Sequence, residues 1–404
     1  MTERIGQPEL LKEINRSRVF DALRAAHLIS RAKLAQQTGL SRATISTLAD
    51  EFLQIGVAED VGFGDSTGGR PPVMLKFNPN TALALGARMR DHEWGIVITN
   101  LNAQILHQIN VPITDGTPET AVKALKQGVA TLKSQVGRQK ILPAIGLGTP
   151  GLVDMHAGVI KTAVDVSWFD VPFREMVEAS LGMKAFVTNR SKVGALAELW
   201  HGANQGIKEL IYVSIGTGVA AGIIHEGKLF MGANSSAGEL GHVTILPDGP
   251  LCPCGNKGCL QQLVSGVAIA NRAREKLRQS DDTILHALIG THPERITADV
   301  VFQAAEQGDS LAKEIIDETA MYLGIALANV VNLFNPELIV LGGPVGQKGE
   351  ILLEPLQAEV RRRAMAYPLS ATRIITTVLG PNAGTVGAAT LVLQRASDLL
   401  FERT

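Results

Sequence analysis

The sequence predicts an α/β protein with a two-lobed body and a winged helix-turn-helix domain at its N-terminus. From residue 81 onward, apolar β-rich runs alternate with helical stretches, which is typical of a sheet covered by helices. The chain also contains 41 glycines, as expected where strands and helices are joined by tight turns. Before residue 81, an amphipathic stretch, two short capped helices and a hairpin pattern indicate a separate domain.

The length and charge of the chain limit its domain organisation and its partners. A chain of 404 residues is too long for one ordinary core, so we expect a domain over residues 1–80 and two lobes. The first lobe is predicted over 81–190 plus 384–404, and the second over 191–383. Because the formal net charge is −1, any contact with DNA must come from a local surface.

No segment predicts membrane insertion or export. The first residues lack an apolar signal core. The most apolar window, around 323–333, is interrupted by Asn329 and Asn332 and is too short to span a bilayer. We therefore expect a cytoplasmic protein with no membrane association and with reduced thiols.

The N-terminal domain has the pattern of a helix-turn-helix. Residues 8–26 predict an amphipathic helix, and serines at 30 and 41 predict the caps of helices over 31–38 and 42–55. The third helix begins with short polar side chains that can reach base edges in a major groove. The predicted DNA-contacting residues on it are Ser41, Arg42, Thr44, Ser46 and Thr47.

The next segment predicts the wing. Residues 57–61 and 73–77 alternate like a hairpin, and the loop between them holds Arg70 between two glycines and two prolines. Such an arginine can enter a minor groove, where the potential is most negative. The alternative is a three-helix interaction module that binds no DNA, because basic and acidic residues roughly balance here.

The only three cysteines of the chain predict a metal site. They lie at Cys252, Cys254 and Cys259, and His242 precedes them at ligand distance. Three thiolates and one imidazole suit tetrahedral zinc, and four protein ligands favour a structural role. The alternative is a buried thiol cluster with an unrelated histidine. A disulfide is less favoured, because three is an odd number.

The body predicts a mixed sheet with helices on its faces. Predicted strands cover 83–89, 94–100, 105–111, 144–149, 185–188, 210–215, 220–225, 337–341 and 374–378. Predicted helices cover 118–135, 172–181, 192–201, 267–279, 310–334, 355–366 and 384–401. Ligands in such folds bind between lobes, at loops beyond the strand ends.

Five motifs give the body a specific resemblance. They are GTPGLVD at 148–154, SIGTG at 214–218, GELGH at 238–242, CPCGNKGC at 252–259 and NPELIVLGG at 335–343. From residue 81 onward the chain resembles the ROK family of bacterial sugar kinases and sugar-responsive repressors. The resemblance implies an actin-like (ribonuclease H-like) fold, and the preceding winged helix is typical of the repressor branch.

Two departures from the kinase pattern predict that the chain is not an enzyme. Kinases of this family carry a glycine-rich phosphate loop, Asp-x-Gly-Gly-Thr, after the first strand, and the aligned stretch here begins at Arg88 and has no glycine. They also carry an Asn-Asp pair whose aspartate is the catalytic base. Here the pair is Asn189 and Arg190, and a guanidinium cannot accept a proton.

The resemblance also implies where an effector would bind. Asn189, Glu239 and His242 match sugar-contacting positions, and Gln261 stands where the family usually has a glutamate. Gly151 either approaches the ligand closely or only makes a turn.

The exchanges at Arg190 and Gln261 make the pocket more positive by roughly three charges, which predicts an effector that is anionic at its sixth carbon, clamped by Arg190. Alternatively, Arg190 pairs with Glu198 and faces away, or the pocket binds no sugar.

Together these features predict a DNA-binding transcriptional regulator, most simply a repressor of carbohydrate metabolism genes. A homodimer or tetramer would place two winged helices on an inverted-repeat operator, and a sugar or sugar derivative bound between the lobes would lower DNA affinity. The alternatives are a sugar kinase with an accessory DNA-binding domain and a regulator controlled by a protein partner.

Overall fold

A computed structural model of the chain describes residues 8–63, 72–90, 92–202, 206–280, 282–290 and 292–402. It confirms the predicted fold class, with a small winged helix preceding a body built on two five-stranded sheets. Within these described ranges, no helix combines the length and the apolar character that a membrane crossing requires.

The winged helix domain has three helices and a three-stranded sheet. Its elements are α1 (Pro8–Ala26), β1 (Leu28–Ser30), α2 (Arg31–Thr38), α3 (Arg42–Gln54), β2 (Ala58–Phe63) and β3 (Val73–Phe77), and the strand order is β1-β3-β2. The serine caps at the starts of α2 and α3 are those that the sequence predicts. Ser30 accepts a hydrogen bond from the backbone N of Lys33 at 3.2 Å, and Gly39 ends α2 with a left-handed φ of 69°.

The first lobe is built on a mixed sheet of order β11-β7-β4-β5-β6. Strand β5 is antiparallel to both of its neighbours, β4 and β6, whereas β7 and β11 run parallel to β4. A small antiparallel sheet, β10-β9-β8, lies within a stretch for which the sequence predicts no strand. The elements of this lobe are β4 (Leu83–Arg90), β5 (Glu93–Asn100), β6 (Ile105–Pro112), α4 (Pro118–Val136), β7 (Ile141–Thr149), β8 (Leu152–Asp154), β9 (Val159–Ala163), β10 (Trp168–Val171), α5 (Phe173–Leu181) and β11 (Lys184–Asn189).

The second sheet has the order β14-β13-β12-β15-β16 and is covered by helices. The elements are α6 (Arg190–His201), β12 (Leu210–Ile215), β13 (Val219–His225), β14 (Lys228–Leu229), α7 (Gln261–Val264), α8 (Gly266–Leu277), α9 (Leu285–Ile289), α10 (Ala298–Glu306), α11 (Ser310–Phe334), β15 (Leu338–Gly342), α12 (Gly343–Gly346), α13 (Glu350–Arg363), α14 (Ala366–Ala371) and β16 (Arg373–Thr376). The chain then returns to the first lobe with α15 (Ala383–Leu393) and α16 (Ala396–Phe401).

Two predicted helices differ from the structure. The helix predicted from residue 355 already begins at Glu350, so that Pro355 lies inside α13. The helix predicted over 384–401 is split into α15 and α16. The first part packs across β4 and β7, and the second part contacts α1 of the winged helix domain.

The winged helix domain and the first lobe share one hydrophobic core. Phe52 on α3 lies 6.0 Å, centroid to centroid, from Phe401 on α16, and the guanidinium of Arg16 lies 4.1 Å above the same ring. Buried residues of the sheet, including Ala84 and Ala144, complete this core. The body thus supports α1 and α3 directly.

Candidate functional site

The strongest candidate site in the structure is the metal cluster. The ligand atoms of His242, Cys252, Cys254 and Cys259 all lie within 4.8 Å of one another. His242 Nδ1 is 3.6 Å from the sulfur of Cys252, and the sulfurs of Cys254 and Cys259 are 3.7 Å apart. Burial and the neighbouring sulfurs raise the pKa of the Cys259 thiol to about 12. These four side chains could hold one metal ion, and three thiolates with an imidazole fit zinc.

Backbone contacts shape the loop that carries the cysteines. Cys252 N donates to Asn256 O at 2.7 Å, and Leu260 N donates to Val243 O at 2.9 Å. Gly258 has a φ of +66°, and a Cβ there would lie 1.5 Å from the carbonyl oxygen of Leu246. Only glycine at position 258 therefore allows this part of the loop to approach the segment at Leu246, as the grouping of the sulfurs requires.

Gln261 lies beside this cluster. Its Nε2 is 3.4 Å from the sulfur of Cys252, and its Oε1 faces the turn at Gly218. The turn itself is closed, because Gly216 N donates to Gly218 O at 2.9 Å and Gly216 O accepts from Gly266 N at 2.8 Å. The side chain predicted to face an effector thus also contacts a predicted metal ligand.

The first turn of α6 carries the other predicted effector residues. Asn189 is buried and caps the helix, since its Oδ1 accepts from the backbone N of Ser191 at 3.0 Å and of Lys192 at 3.1 Å. Arg190 Nη2 lies 3.1 Å from a carboxylate oxygen of Asp165. Arg190 thus pairs with Asp165 and not with Glu198, which instead accepts a hydrogen bond from Thr377.

Lys192 is a buried cation that sequence reasoning missed. Its side chain projects from the first turn of α6 and is buried, with a relative exposure of 2%. Burial lowers the pKa of Lys192 and the carboxyl group of Glu239 opposes the shift. Burial raises the pKa of Glu239, with Lys192 and His242 opposing. Lys192 and Glu239 thus influence each other's pKa, and His242 influences that of Glu239, so an amine and a carboxyl group near the metal cluster could offer both donors and acceptors to a polyol.

Gly151 and the nearby Trp168 are both packed against other parts of the first lobe. A Cβ on Gly151 would lie 2.1 Å from the backbone oxygen of Thr162, so this glycine allows two chain segments to pack against each other. Trp168 is buried, stacks on Phe173 with 5.4 Å between ring centroids, and donates from Nε1 to Gly116 O at 2.7 Å. The close packing at Gly151 favours the alternative in which this glycine only makes a turn.

The stretch aligned with the kinase phosphate loop has a different form. Arg90 and Glu93 face each other in the β4–β5 ladder and form an ion pair at 3.6 Å. The Arg88 side chain packs against Gly384 at the start of α15, where a Cβ would lie 2.2 Å from Arg88 Cδ. In place of a phosphate loop, the Arg88 side chain fills the space beside Gly384, and β4 and β5 pair as a hairpin.

The start of α3 presents the predicted DNA-contacting residues unequally. Ser41, Arg42 and Thr47 are exposed. The Ser41 hydroxyl caps the helix by accepting from Thr44 N at 3.1 Å. Ser46 is half-buried and lies 3.0 Å from Nη1 of Arg31, a contact that the sequence did not suggest. Arg70, the predicted wing residue, lies outside the described residues.

Arg42 is the basic group of this surface. Within the part of the chain that the structure describes, its guanidinium makes no ion pair or hydrogen bond, whereas Arg31 on α2 is engaged by Asp50 at 2.7 Å. An exposed cation next to short hydroxyl side chains at a helix N-terminus suits phosphate contact and base reading.

Comparisons with known proteins agree with these features. The ROK family model matches residues 85–395. The putative xylose repressor of Caldicellulosiruptor sp. is 33% identical over 402 residues, which cover 98% of each chain. The DNA-binding transcriptional dual regulator NagC of Escherichia coli is 30% identical, with 89% of this chain and 88% of the relative covered. A glucokinase of Halalkalibacterium halodurans is 36% identical but matches only 64% of this chain.

Among solved structures, too, a regulator covers more of this chain than a kinase does. A ROK family transcriptional regulator, a homologue of the Escherichia coli MLC protein, superposes with a TM-score of 0.86 at 26% identity and covers 96% of this chain. A ROK family glucokinase from Streptomyces griseus, in complex with glucose and AMPPNP, has a TM-score of 0.69 at 30% identity and covers 76%. On the extent of the family match and of the repressor alignments, this chain is a member of the ROK family.

Proposed function

We propose that the chain is a DNA-binding transcriptional regulator, acting as a repressor of carbohydrate metabolism genes, and that a sugar or sugar derivative bound between the lobes controls it. The observation that carries this proposal is that the putative xylose repressor aligns over 98% of both chains, including the winged helix, whereas the glucokinase relative does not. The exposed start of α3 with Arg42 supports the same function.

The proposed DNA contacts come from the start of α3 and from the wing. Arg42 and Thr47 would reach the duplex directly, and Ser41 adds the N-terminus of α3, which favours phosphate. Thr44 and Ser46 would act mainly by shaping this surface, because their hydroxyls are occupied by Ser41 and Arg31. A homodimer or tetramer would present two such helices to an inverted repeat.

The proposed effector site lies between the start of α6 and the loop before the metal cluster. Asn189, Glu239, Gln261 and His242 would contact the ligand, and Arg190 would meet an anionic group at its sixth carbon. The ion pair with Asp165 neutralises part of the charge of Arg190, and the buried Lys192 on the same turn would supply a second cation for such an anion. Gly151 would act only through the turn.

We further propose that zinc, held by His242 and the three cysteines, fixes the loop between Glu239 and Gln261. A bound zinc ion would neutralise the thiolates and hold the loop in one conformation. We retain the proposed domain boundaries of 1–80, 81–190 plus 384–404, and 191–383. The separate hydrophobic cores of the two sheets support the division between the two lobes, whereas the winged helix domain shares a core with the first lobe.

The proposed loss of kinase activity rests on two replacements. Arg190 stands where the base is expected and cannot accept a proton, and Arg88 occupies the position of the phosphate loop. The similarity to glucokinases favours the alternative of an active kinase with an accessory domain. A coupled assay of ADP release with several hexoses separates the two, since a repressor releases none above background.

DNA binding is tested by selecting duplexes from a random pool with the full-length protein. An inverted-repeat consensus and a sugar-dependent loss of affinity support the regulator. Selection of no consensus sequence contradicts it. Pull-down from cell extract with and without sugar tests control by a protein partner.

A further inference from the structure

Helix α6 connects the proposed effector site to the winged helix domain. It begins at Asn189 and Arg190, and it ends at Trp200 and His201. Its 12 residues span about 18 Å at the usual rise of an α-helix. The two functional regions of the chain therefore lie at opposite ends of one secondary structure element.

The C-terminal end of α6 lies against the last turn of α1. The guanidinium carbon of Arg24 is 3.9 Å above the ring of Trp200, and Nη2 of Arg24 pairs with Asp21 at 3.2 Å. Nη1 of Arg24 and Nε2 of His201 are both enclosed and have no hydrogen-bond partner among the described residues. Because enclosed polar groups are costly to leave unpaired, the packing here is sensitive to small displacements.

Neighbouring elements pack closely against the first two turns of α6. A Cβ on Gly387 of α15 would lie 1.7 Å from the backbone oxygen of Val193. A Cβ on Gly222 of β13 would lie 2.4 Å from the backbone oxygen of Ser191. The Cβ positions of these two glycines also lie 3.2 Å and 2.6 Å from the Cβ atoms of Ala197 and Ala195. Because α6 is packed this closely on two sides, we expect it to move as one unit when its first turn is displaced.

We propose that α6 transmits the state of the effector site to the DNA-binding domain through the contact of Arg24 with Trp200. This inference rests on the proposed function. A ligand that changes the position of the first turn of α6 shifts Trp200 relative to Arg24 and tilts α1. Since α1 packs against α2 and α3, the tilt changes the presentation of α3 to DNA.

The test compares the sugar response of DNA affinity in two contact variants and one control variant. Arg24→Gln and Trp200→Leu each remove the contact at the end of α6. Arg395→Gln is the matched control, because Arg395 lies 4.6 Å above the ring of Phe186 in a similar contact whose two residues both belong to the first lobe. Affinity for a duplex selected with the wild-type protein is measured with D-xylose, D-glucose and N-acetyl-D-glucosamine.

For the sugar that acts on the wild type, we expect a loss of DNA affinity of at least about fivefold. The loss should fall below about twofold in the two contact variants and stay unchanged in Arg395→Gln. Calorimetry should show that the contact variants still bind the sugar. Equal responses in all variants overturn the proposed route. A wild type that binds DNA but responds to none of the sugars contradicts the proposed sugar control.

A second measurement requires no sugar. Asp165→Asn releases Arg190 at the first turn of α6, and its effect on DNA affinity is compared in the wild-type and Arg24→Gln backgrounds. We expect a change of at least about twofold in the first background and none in the second. Equal effects in both backgrounds, or no effect in either, overturn the proposal even if sugar control fails.

Discussion

Arg190 and Asp165 form an ion pair across the start of α6, with 3.1 Å between Nη2 and a carboxylate oxygen. The pair joins the first turn of α6 to the short helical turn Val164–Val166, which precedes β10. The residue that stands in place of the expected kinase base therefore has a defined partner in the structure. Arg190 is thus a cation at the proposed effector site, and its ion pair also holds the first turn of α6 in place.

Restoring an aspartate at position 190 should not restore phosphoryl transfer. Arg190→Asp supplies a carboxylate, but Arg88 still occupies the space beside Gly384 and the hairpin still replaces the phosphate loop. We expect no sugar-dependent ADP release in a coupled assay.

Asp165→Asn is the control for loss of the ion pair itself, and because the pair is partly exposed, it should change the free energy of unfolding by less than about 1 kcal/mol. ADP release that depends on a hexose in Arg190→Asp contradicts the proposed loss of catalysis.

Removing one thiol should release the metal. In Cys254→Ser we expect the affinity for zinc to fall by more than about 100-fold, because even loss of a partner outside the ligand shell costs up to that much. Metal content by mass spectrometry and the sugar response of DNA affinity should fall together.

Leu251→Ser is the matched control, since Leu251 lies in the same loop, is 69% exposed and offers no ligand in the wild type. Full zinc content in Cys254→Ser, or an intact sugar response after zinc loss, contradicts the structural role of the metal.

The charge at the start of α3 should determine DNA affinity. Arg42→Gln removes an exposed cation that has no partner among the described residues. If Arg42 contacts a phosphate, affinity falls for all duplexes, and the slope of log affinity against log salt concentration becomes shallower by about one. If Arg42 contacts a base, the sequence preference relaxes at one position.

Lys126→Gln makes the same charge change on α4, far from the winged helix in sequence, and should leave binding unchanged. Equal loss in both variants indicates a general charge effect and contradicts the assignment to α3.

Acidification should weaken the contact between α6 and α1. Burial, with a smaller contribution from the charge of Arg24, lowers the pKa of His201 from 6.5 to about 4. Because the unfolded chain binds the proton more readily, the stabilising contribution is full above about pH 6.5 and is lost as the pH falls toward 4. The loss from this group is at most about 3 kcal/mol.

The pH test compares the wild type with His201→Phe by urea unfolding between about pH 7 and 5, where histidine titrates and carboxyl groups contribute less. Asp21 and Asp398 lie near the same contact, and burial raises the pKa of both, so they act in the opposite direction at lower pH. The wild type should lose more stability than the variant on acidification. Parallel pH profiles contradict this assignment.

Sequence reasoning succeeded where the determining interactions are local. Ser30, Gly39 and Ser41 define the ends of α2 and α3 through contacts within a few residues, so those helices were predicted closely. The cluster of His242 with the three cysteines was predictable for the same reason, since its spacing is visible in one short loop.

The contacts that were missed depend on residues far apart in the sequence or on unusual burial. The pairing of Arg190 with Asp165 depends on a small sheet whose short strands give little periodic signal. Lys192 was overlooked because lysines are almost never fully buried. The stacking of Arg24 on Trp200 joins two domains and has no local signature.

The most direct measurement is the affinity of the full-length protein for a selected duplex, determined by fluorescence anisotropy with and without sugar. We expect sequence-specific binding with a Kd of about 10 nM at physiological salt, weakened at least about fivefold by one of the sugars tested. Binding that shows no sequence preference, together with sugar-dependent consumption of ATP by the same preparation, would contradict a regulator and indicate a kinase.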